Sequence, residues 1–149
     1  MFFLRLFSTR KESYIQGQDI TVALSVIDKV LSIGLHNLAF EPVLRIQASP
    51  ELVSKYGKLV TNKGLIGCYL QTELAHRTNV NRLETTTTYL PDTREFEIHS
   101  LTLTITKWWI GALGKTATHS VIQAKLILPG GKDMGPHLFF YPAAVSWSV

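Results

Sequence analysis

The sequence predicts an α+β fold in which helices precede strands. Up to about residue 63, apolar side chains recur at the three- and four-residue spacing of amphipathic helices. From Leu65 onward they alternate with polar ones, as in half-buried strands. A helical part followed by strands is typical of helices packed on an antiparallel β-barrel or sandwich. Of the 149 residues, 46% are hydrophobic and 17% are charged, so the chain can bury a core and is not of the disordered class.

Three helices are predicted in the first part of the chain, over residues 19–33, 37–46 and 50–61. The first has a continuous apolar face and a stop signal at Gly34. The second is short or broken, because Pro42 limits it. The third has a clear start signal, with Ser49 as N-cap, Pro50 at the first helical position and Glu51 in the first turn. We expect these helices to be buried in the parent fold rather than to bind a partner helix.

The strands are predicted over residues 66–70, 83–89, 95–99, 101–109, 120–128 and 137–141. Pro91-Asp92-Thr93 and Pro129-Gly130-Gly131 supply turns between them. Four consecutive threonines, residues 85–88, are expected to be β-branched filler in an exposed strand.

Composition restricts the function classes. The net charge of +4 favours anionic partners, but the basic residues are scattered rather than clustered, so we expect no nucleic-acid partner. No apolar run is long enough to predict a membrane span. The single cysteine, Cys68, excludes an intrachain disulfide, favours a reducing compartment and is expected to be an inert buried thiol. The histidines lack metal-ligand spacing, so no metal site is predicted.

Two motifs that suggest other chemistry are rejected. Gly111-Ala112-Leu113-Gly114-Lys115-Thr116 imitates a phosphate loop, but only two residues separate its glycines and a strand is predicted to follow. His119 and Ser120 are adjacent, but the sequence has no nucleophile elbow that would make them a hydrolase site.

Two short segments form the candidate site, and each follows or ends a predicted strand. Gln71-Thr72-Glu73-Leu74 offers a hydroxyl and free backbone amides, and Lys107-Trp108-Trp109-Ile110-Gly111 offers two indoles and a glycine. We call them the threonine segment and the tryptophan segment. A flat heteroaromatic ligand needs hydrogen bonds at its polar edge and an apolar plate against its face. Together the two segments match that need.

The segment from about Gly67 to Phe140 resembles the peroxisomal acyl-CoA oxidases. The resemblance is carried by residues 67–78, 83–89, 107–116, His119 and 135–140. It implies a remnant of a helical N-terminal domain over residues 1–64 and an incomplete flavin-binding β-domain, as in the middle domain of these oxidases, over residues 65–141. Residues 142–149 are a divergent tail. A truncated or splice-variant chain is therefore expected.

The same resemblance implies FAD as cofactor. Thr72 would direct its hydroxyl and backbone N–H at the pyrimidine edge, and Trp109 would lie against the ring system. Gly111 would stand near the reactive edge, where related dehydrogenases carry threonine, and would leave room for dioxygen. Trp108 is expected to point into the barrel, because adjacent strand residues face opposite ways.

As an activity, the resemblance implies FAD-dependent oxidation of fatty acyl-CoA to trans-2-enoyl-CoA, with O2 giving H2O2, in peroxisomal fatty acid β-oxidation. The family's catalytic glutamate lies in C-terminal helices, so no catalytic residue is predicted here and the chain alone is expected to be inactive. The alternative is a non-catalytic interaction or regulatory fragment of the same family. An open barrel edge also predicts aggregation or a homodimer. A peroxisomal location is implied, although Trp147-Ser148-Val149 is not a targeting tripeptide.

Two residues depart from the oxidase pattern, which has glycine at the positions of Ala75 and Arg77. A position that requires positive φ would be strained there by about 1 kcal/mol or more. Arg77 would also add a cation that either pairs with a phosphate or blocks the site.

Overall fold

A computed structural model of the chain describes residues 32–100 and 102–142. The helical part comes first and contains α1 (Ser32–Leu35), a π-helical turn (His36–Phe40), α2 (Glu41–Gln47) and α3 (Pro50–Thr61). The strands follow as β1 (Gly67–Leu70), β2 (Thr86–Leu90), β3 (Glu95–His99), β4 (His119–Leu128) and β5 (Lys132–Pro142). Short 3-10 turns occupy Val80–Arg82 and Leu103–Ile105. This order confirms the α+β class, whereas the first predicted helix lies outside the described residues except for its last two positions.

The strands form one mixed sheet in which β4 is the central strand. On one edge of β4, β1 pairs in parallel with residues 119–122 and β2 in parallel with residues 125–127. On the other edge of β4, β5 pairs antiparallel with it. The sheet continues beyond β2, where β3 pairs antiparallel with β2. The expectation of an antiparallel barrel or sandwich is therefore wrong in two respects: the sheet contains parallel pairs, and the described strands do not close into a barrel. Both parallel partners reach β4 through long connections, which parallel pairing requires.

The helices and the sheet share one apolar core. Its buried members come from the π-helical turn, α2, α3, the loop after α3 and β4; they are Phe40, Leu44, Val60, Leu65 and Val121. A second cluster, Cys68, Leu70 and Ile122, joins β1 to β4. The two layers also meet at Gly67, whose backbone N–H donates to Nδ1 of the buried His36 at 2.9 Å. A Cβ atom at Gly67 would overlap the Phe40 ring, so the residue must be glycine at this contact.

Helix α3 and the hairpins form as predicted. Ser49 caps α3, its Oγ accepting from the Leu52 N–H at 3.4 Å, and Pro50 opens the first turn. The stop predicted at Gly34 and the break predicted at Pro42 are wrong, because residues 32–47 are helical without interruption and only change to a π-helical turn before Glu41. The predicted turns separate β2 from β3 and β4 from β5, although β5 begins earlier than expected, at Lys132.

The strand predicted over residues 101–109 is wrong. Its described part contains the 3-10 turn Leu103–Ile105 and an isolated bridge at Lys107. Threonine hydroxyls compete with sheet pairing here: Thr102 and Thr104 hydrogen bond to each other at 2.8 Å, and Thr104 donates to Glu84 at 2.9 Å.

The threonine run is only partly exposed. Thr85 and Thr87 are buried, whereas exposed filler was expected.

Candidate cofactor site

The threonine and tryptophan segments lie side by side. Glu73 and Lys107 form an antiparallel bridge, and the Trp108 N–H donates to the Thr72 carbonyl at 2.9 Å. The Leu74 N–H donates to the Thr106 carbonyl at 3.2 Å. Two stretches more than thirty positions apart in sequence are thus joined by their backbones. Gly111 follows three positions after Trp108, on the same connected segment.

Both indoles face outward. The Trp109 side chain is 82% exposed and that of Trp108 is 52% exposed, with the two rings edge to face at a centroid distance of 6.5 Å. The inward orientation predicted for Trp108 is therefore wrong. Alternation does not apply because the segment is not a strand and Trp109 adopts left-handed backbone at φ 63°. A bulky residue in this conformation is uncommon and occurs preferentially at functional sites.

Thr72 and Gly111 differ in what they can offer a ligand. Thr72 is partly buried, and its hydroxyl has no hydrogen-bond partner among residues 32–100 and 102–142. A Cβ atom at Gly111 would be 3.6 Å from the Leu35 Cδ2 atom, and Gly111 does not have positive φ. The absence of a side chain there is consequently not required by the backbone. A hydroxyl on one segment and exposed indoles on the paired segment are the kinds of group that the polar edge and the apolar face of a flavin ring need.

A buried carboxylate stands behind the two segments. The Glu73 side chain is fully buried and accepts hydrogen bonds from the Glu84 N–H at 2.8 Å, the Thr85 N–H at 3.0 Å and the Thr85 hydroxyl. Lys107 Nζ contacts the same carboxylate at 2.9 Å. Burial opposes ionisation of Glu73, but the hydrogen bonds from Thr85, Glu84 and Lys107 outweigh it and lower the pKa of Glu73. Glu73 is therefore an ionised structural group rather than a free base.

The Lys107 ammonium has a full set of acceptors. Besides Glu73 Oε1, Nζ donates to the backbone carbonyls of Gln71 at 3.2 Å and Gln123 at 2.8 Å. These three contacts match the three donors of an ammonium group. Burial lowers the pKa of Lys107, although the bond to Glu73 acts in the opposite direction. One side chain thereby ties the tryptophan segment to the threonine segment and to β4.

This ion pair was not predicted from the sequence. Glu73 lies in a segment that resembles the oxidases and Lys107 in the tryptophan segment, but no contact between them was expected. One usable signal was present: each segment carries one charge, of opposite sign, since Glu73 follows Thr72 and Lys107 precedes the two tryptophans. His76 adds to the cluster, since it is buried and its Nε2 atom lies 3.7 Å from Glu73 Oε2.

The two departures from the oxidase pattern differ in backbone conformation. Arg77 has left-handed backbone at φ 51°, whereas φ of Ala75 is negative. Both side chains are exposed. Strain from a missing glycine is therefore present at Arg77 alone.

In the part of the chain that the structure describes, no group of three or more His, Cys, Asp or Glu side chains could hold a metal ion. The helices of this same part are all too short or too polar to cross a membrane.

Comparison with known proteins identifies an enzyme family, although no protein-family model matches the chain. Peroxisomal acyl-coenzyme A oxidase 1 of Arabidopsis thaliana is 47% identical over 113 residues, which are 76% of this chain and 17% of that protein. Peroxisomal acyl-coenzyme A oxidase 1 of Pongo abelii is 43% identical over 121 residues, or 80% of this chain and 18% of that protein. The chain thus spans less than one fifth of the length of these relatives.

Solved structures give the same family. The tomato acyl-CoA oxidase superposes with a TM-score of 0.77 at 42% identity, over 84% of this chain and 19% of that one. The Caenorhabditis elegans acyl-CoA oxidase-1 complexed with FAD and ATP superposes with a TM-score of 0.70 at 41% identity, over 74% of this chain and 17% of that one. Sequence and fold both match over about three quarters or more of this chain. The chain therefore belongs to the peroxisomal acyl-CoA oxidase family.

Proposed function

We propose that this chain is the part of an acyl-CoA oxidase that holds the edge of FAD. The activity to which it belongs is oxidation of fatty acyl-CoA to trans-2-enoyl-CoA, with O2 giving H2O2, in the peroxisome. The observation that carries the proposal is the backbone pairing of Thr72 with Trp108, which joins the threonine segment to the segment that carries the exposed indoles and Gly111. A related C. elegans oxidase structure is bound with FAD, ascaroside-CoA and ATP, which supports an acyl-CoA type of substrate.

The chain's own residues have separate roles in this proposal. FAD, when bound, supplies the two-electron acceptor for the acyl-CoA and passes the electrons to O2. Thr72 holds the polar edge of the ring through its hydroxyl and backbone N–H. Trp109 covers a ring face, and Gly111 leaves space beside the ring that a larger side chain would fill. None of these groups moves a proton.

We propose that the chain alone does not turn over substrate. Removal of the α-proton of an acyl-CoA needs a base, which is typically worth about 10²–10⁴-fold in rate. The Glu73 carboxylate is occupied by its hydrogen bonds and by Lys107, and Glu84 accepts from Thr104. The buried Glu73 carboxylate is therefore not free to serve as that base, and Glu84 is not the base that the resemblance implies.

FAD titration followed by substrate addition tests both statements. The purified chain is titrated with FAD, and binding is followed by flavin absorbance near 450 nm and by quenching of tryptophan emission. Thr72→Val removes the hydroxyl at nearly constant volume, and Thr78→Val is the matched control on an exposed turn. We expect Thr72→Val to weaken FAD binding by up to about tenfold, the value of a typical hydrogen bond, and Thr78→Val to have no effect.

Palmitoyl-CoA is then added under air while H2O2 is followed. We expect bound flavin without peroxide. Failure of the wild-type chain to bind FAD would contradict the cofactor role, and peroxide formation would contradict the proposed inactivity.

A non-catalytic interaction role is the second candidate. It is favoured by apolar side chains that stand exposed on the helical part and before the tryptophan segment: Leu38, Ile46 and Leu103. Such side chains suit a protein partner or a second copy of the chain, as a homodimer. A chain that binds no FAD but associates through this surface would favour this candidate.

A further inference from the structure

The Glu73–Lys107 ion pair lies at the junction of the two site segments. Lys107 immediately precedes Trp108, and Glu73 immediately follows Thr72. The ammonium also reaches the carbonyl of Gln123 in the middle of β4. A single buried group thus fixes the positions of both segments relative to the central strand of the sheet.

Stability alone is a weak reason for such an arrangement. Removing two charges from water is costly, and well-packed apolar residues of similar volume often stabilise a fold as well or better. What the pair adds is geometry, because every donor of the ammonium and both carboxylate oxygens are used. Binding sites gain affinity when their groups are held in position before the ligand arrives.

We propose that the Glu73–Lys107 pair is a positioning device that holds Trp109 and Gly111 at a fixed place beside Thr72. This inference rests on the proposed function, since it assigns the residues that preorganise the cofactor site. Neither residue of the pair is proposed to touch the cofactor. They act through the backbone of Trp108, which is hydrogen-bonded to Thr72.

Three variants separate positioning from stability. Lys107→Met keeps the side-chain length but leaves a buried carboxylate unpaired, so it should weaken FAD binding and lower the unfolding midpoint. The double variant Glu73→Gln/Lys107→Met removes both charges and lets the amide group replace part of the lost hydrogen bonding. Lys132→Met, at the exposed start of β5, is the matched control.

The double variant gives the decisive comparison. We expect it to recover most of the unfolding midpoint but to bind FAD at least about tenfold more weakly than the wild-type chain, because preorganisation is lost. If FAD affinity returned together with the midpoint, the pair would be merely structural and the proposal would be wrong. Unchanged FAD affinity in Lys107→Met would also overturn it.

A second measurement separates this proposal from failure of the proposed function. If the wild-type chain binds no FAD, amide hydrogen exchange still reports the position of the tryptophan segment through the Trp108 and Leu74 amides. We expect these amides to lose protection in the folded double variant while β4 and β5 keep theirs. Wild-type protection in the double variant would overturn the positioning role whether or not FAD binds.

Discussion

Arg77 departs from the oxidase pattern at a position whose backbone conformation favours glycine. Arg77 has left-handed backbone, which glycine adopts without strain. The backbone of Ala75 is not left-handed. We expect Arg77→Gly to raise the free energy of unfolding by about 1 kcal/mol. Urea unfolding measures the change, with Ala75→Gly as control, which should stabilise nothing because its backbone is already favourable. A gain at position 75 rather than 77 would contradict this account.

His36 makes stability depend on pH near neutrality. Burial and the nearby Lys63 lower its pKa below the ordinary value of 6.5, against the opposing effects of the Val60 carbonyl and Glu41. Between the folded and the unfolded pKa the unfolded chain binds more protons, so stability is lost as pH falls below about 6.5. Protonation also removes the acceptor for the Gly67 N–H.

We expect the urea midpoint to fall between about pH 7.5 and about pH 5.5 for this reason. In His36→Asn the side-chain oxygen can still accept from Gly67, and the decline should be smaller, with His119 contributing the remainder because burial lowers its pKa as well. The exposed His137→Asn should keep the wild-type decline. Equal declines in all three proteins would exclude His36 as the cause.

At the scale of elements, the contact between the π-helical turn and β1 depends on one glycine. An added Cβ at Gly67 would overlap the Phe40 ring, whereas a Cβ at Gly57, inside α3, would make an ordinary contact with Val53 at 3.6 Å. We expect Gly67→Ala to destabilise the chain by about 1–3 kcal/mol through overpacking. Gly57→Ala should stabilise it by about 1 kcal/mol through helix propensity. The thermal or urea unfolding midpoints of the two variants should therefore shift in opposite directions. An unchanged midpoint for Gly67→Ala would show that the Phe40 ring can move away from β1 at little cost.

The elements that the sequence predicted well are those with local signals. Ser49 and Pro50 mark the start of α3, and Pro91 and Gly130 belong to turns that the structure contains. The strand over residues 101–109 failed because its alternation does not reflect burial: Leu103 is exposed and the threonines bond locally. The parallel pairing of β1 and β2 with β4 could not be predicted from the sequence, because it depends on long connections rather than on strand composition.

The candidate site was predictable to a similar degree. The resemblance brought Thr72 and the tryptophan segment together, and the structure places them side by side. The orientation of Trp108 was wrong because it relied on strand alternation. The Glu73–Lys107 pair was not predicted. Charged residues are usually exposed, and burial of one depends on a partner that can come from anywhere in the chain.

At the scale of the whole molecule, exposed apolar side chains should control association. Leu38 and Ile46 are 82% and 80% exposed, and both lie on the helical part. We expect the chain to elute from a size-exclusion column as a dimer or larger, because exposed apolar side chains and unpaired strand edges promote association. Leu38→Lys/Ile46→Lys should shift elution toward the monomer, whereas Gln47→Lys/Ser54→Lys, which adds the same charge at exposed polar positions, should not. A wild-type monomer would exclude association through this surface.

The place of β4 in the sheet has a consequence for how the chain is made. Among the described strands, β1 pairs only with β4, in a register that places Gly67 opposite His119. At synthesis rates of about 5–20 residues per second, the ribosome needs about 3–10 s to make the intervening stretch. During that interval the nascent β1 has no partner for its backbone and offers its apolar side chains to chaperones or to neighbouring nascent chains.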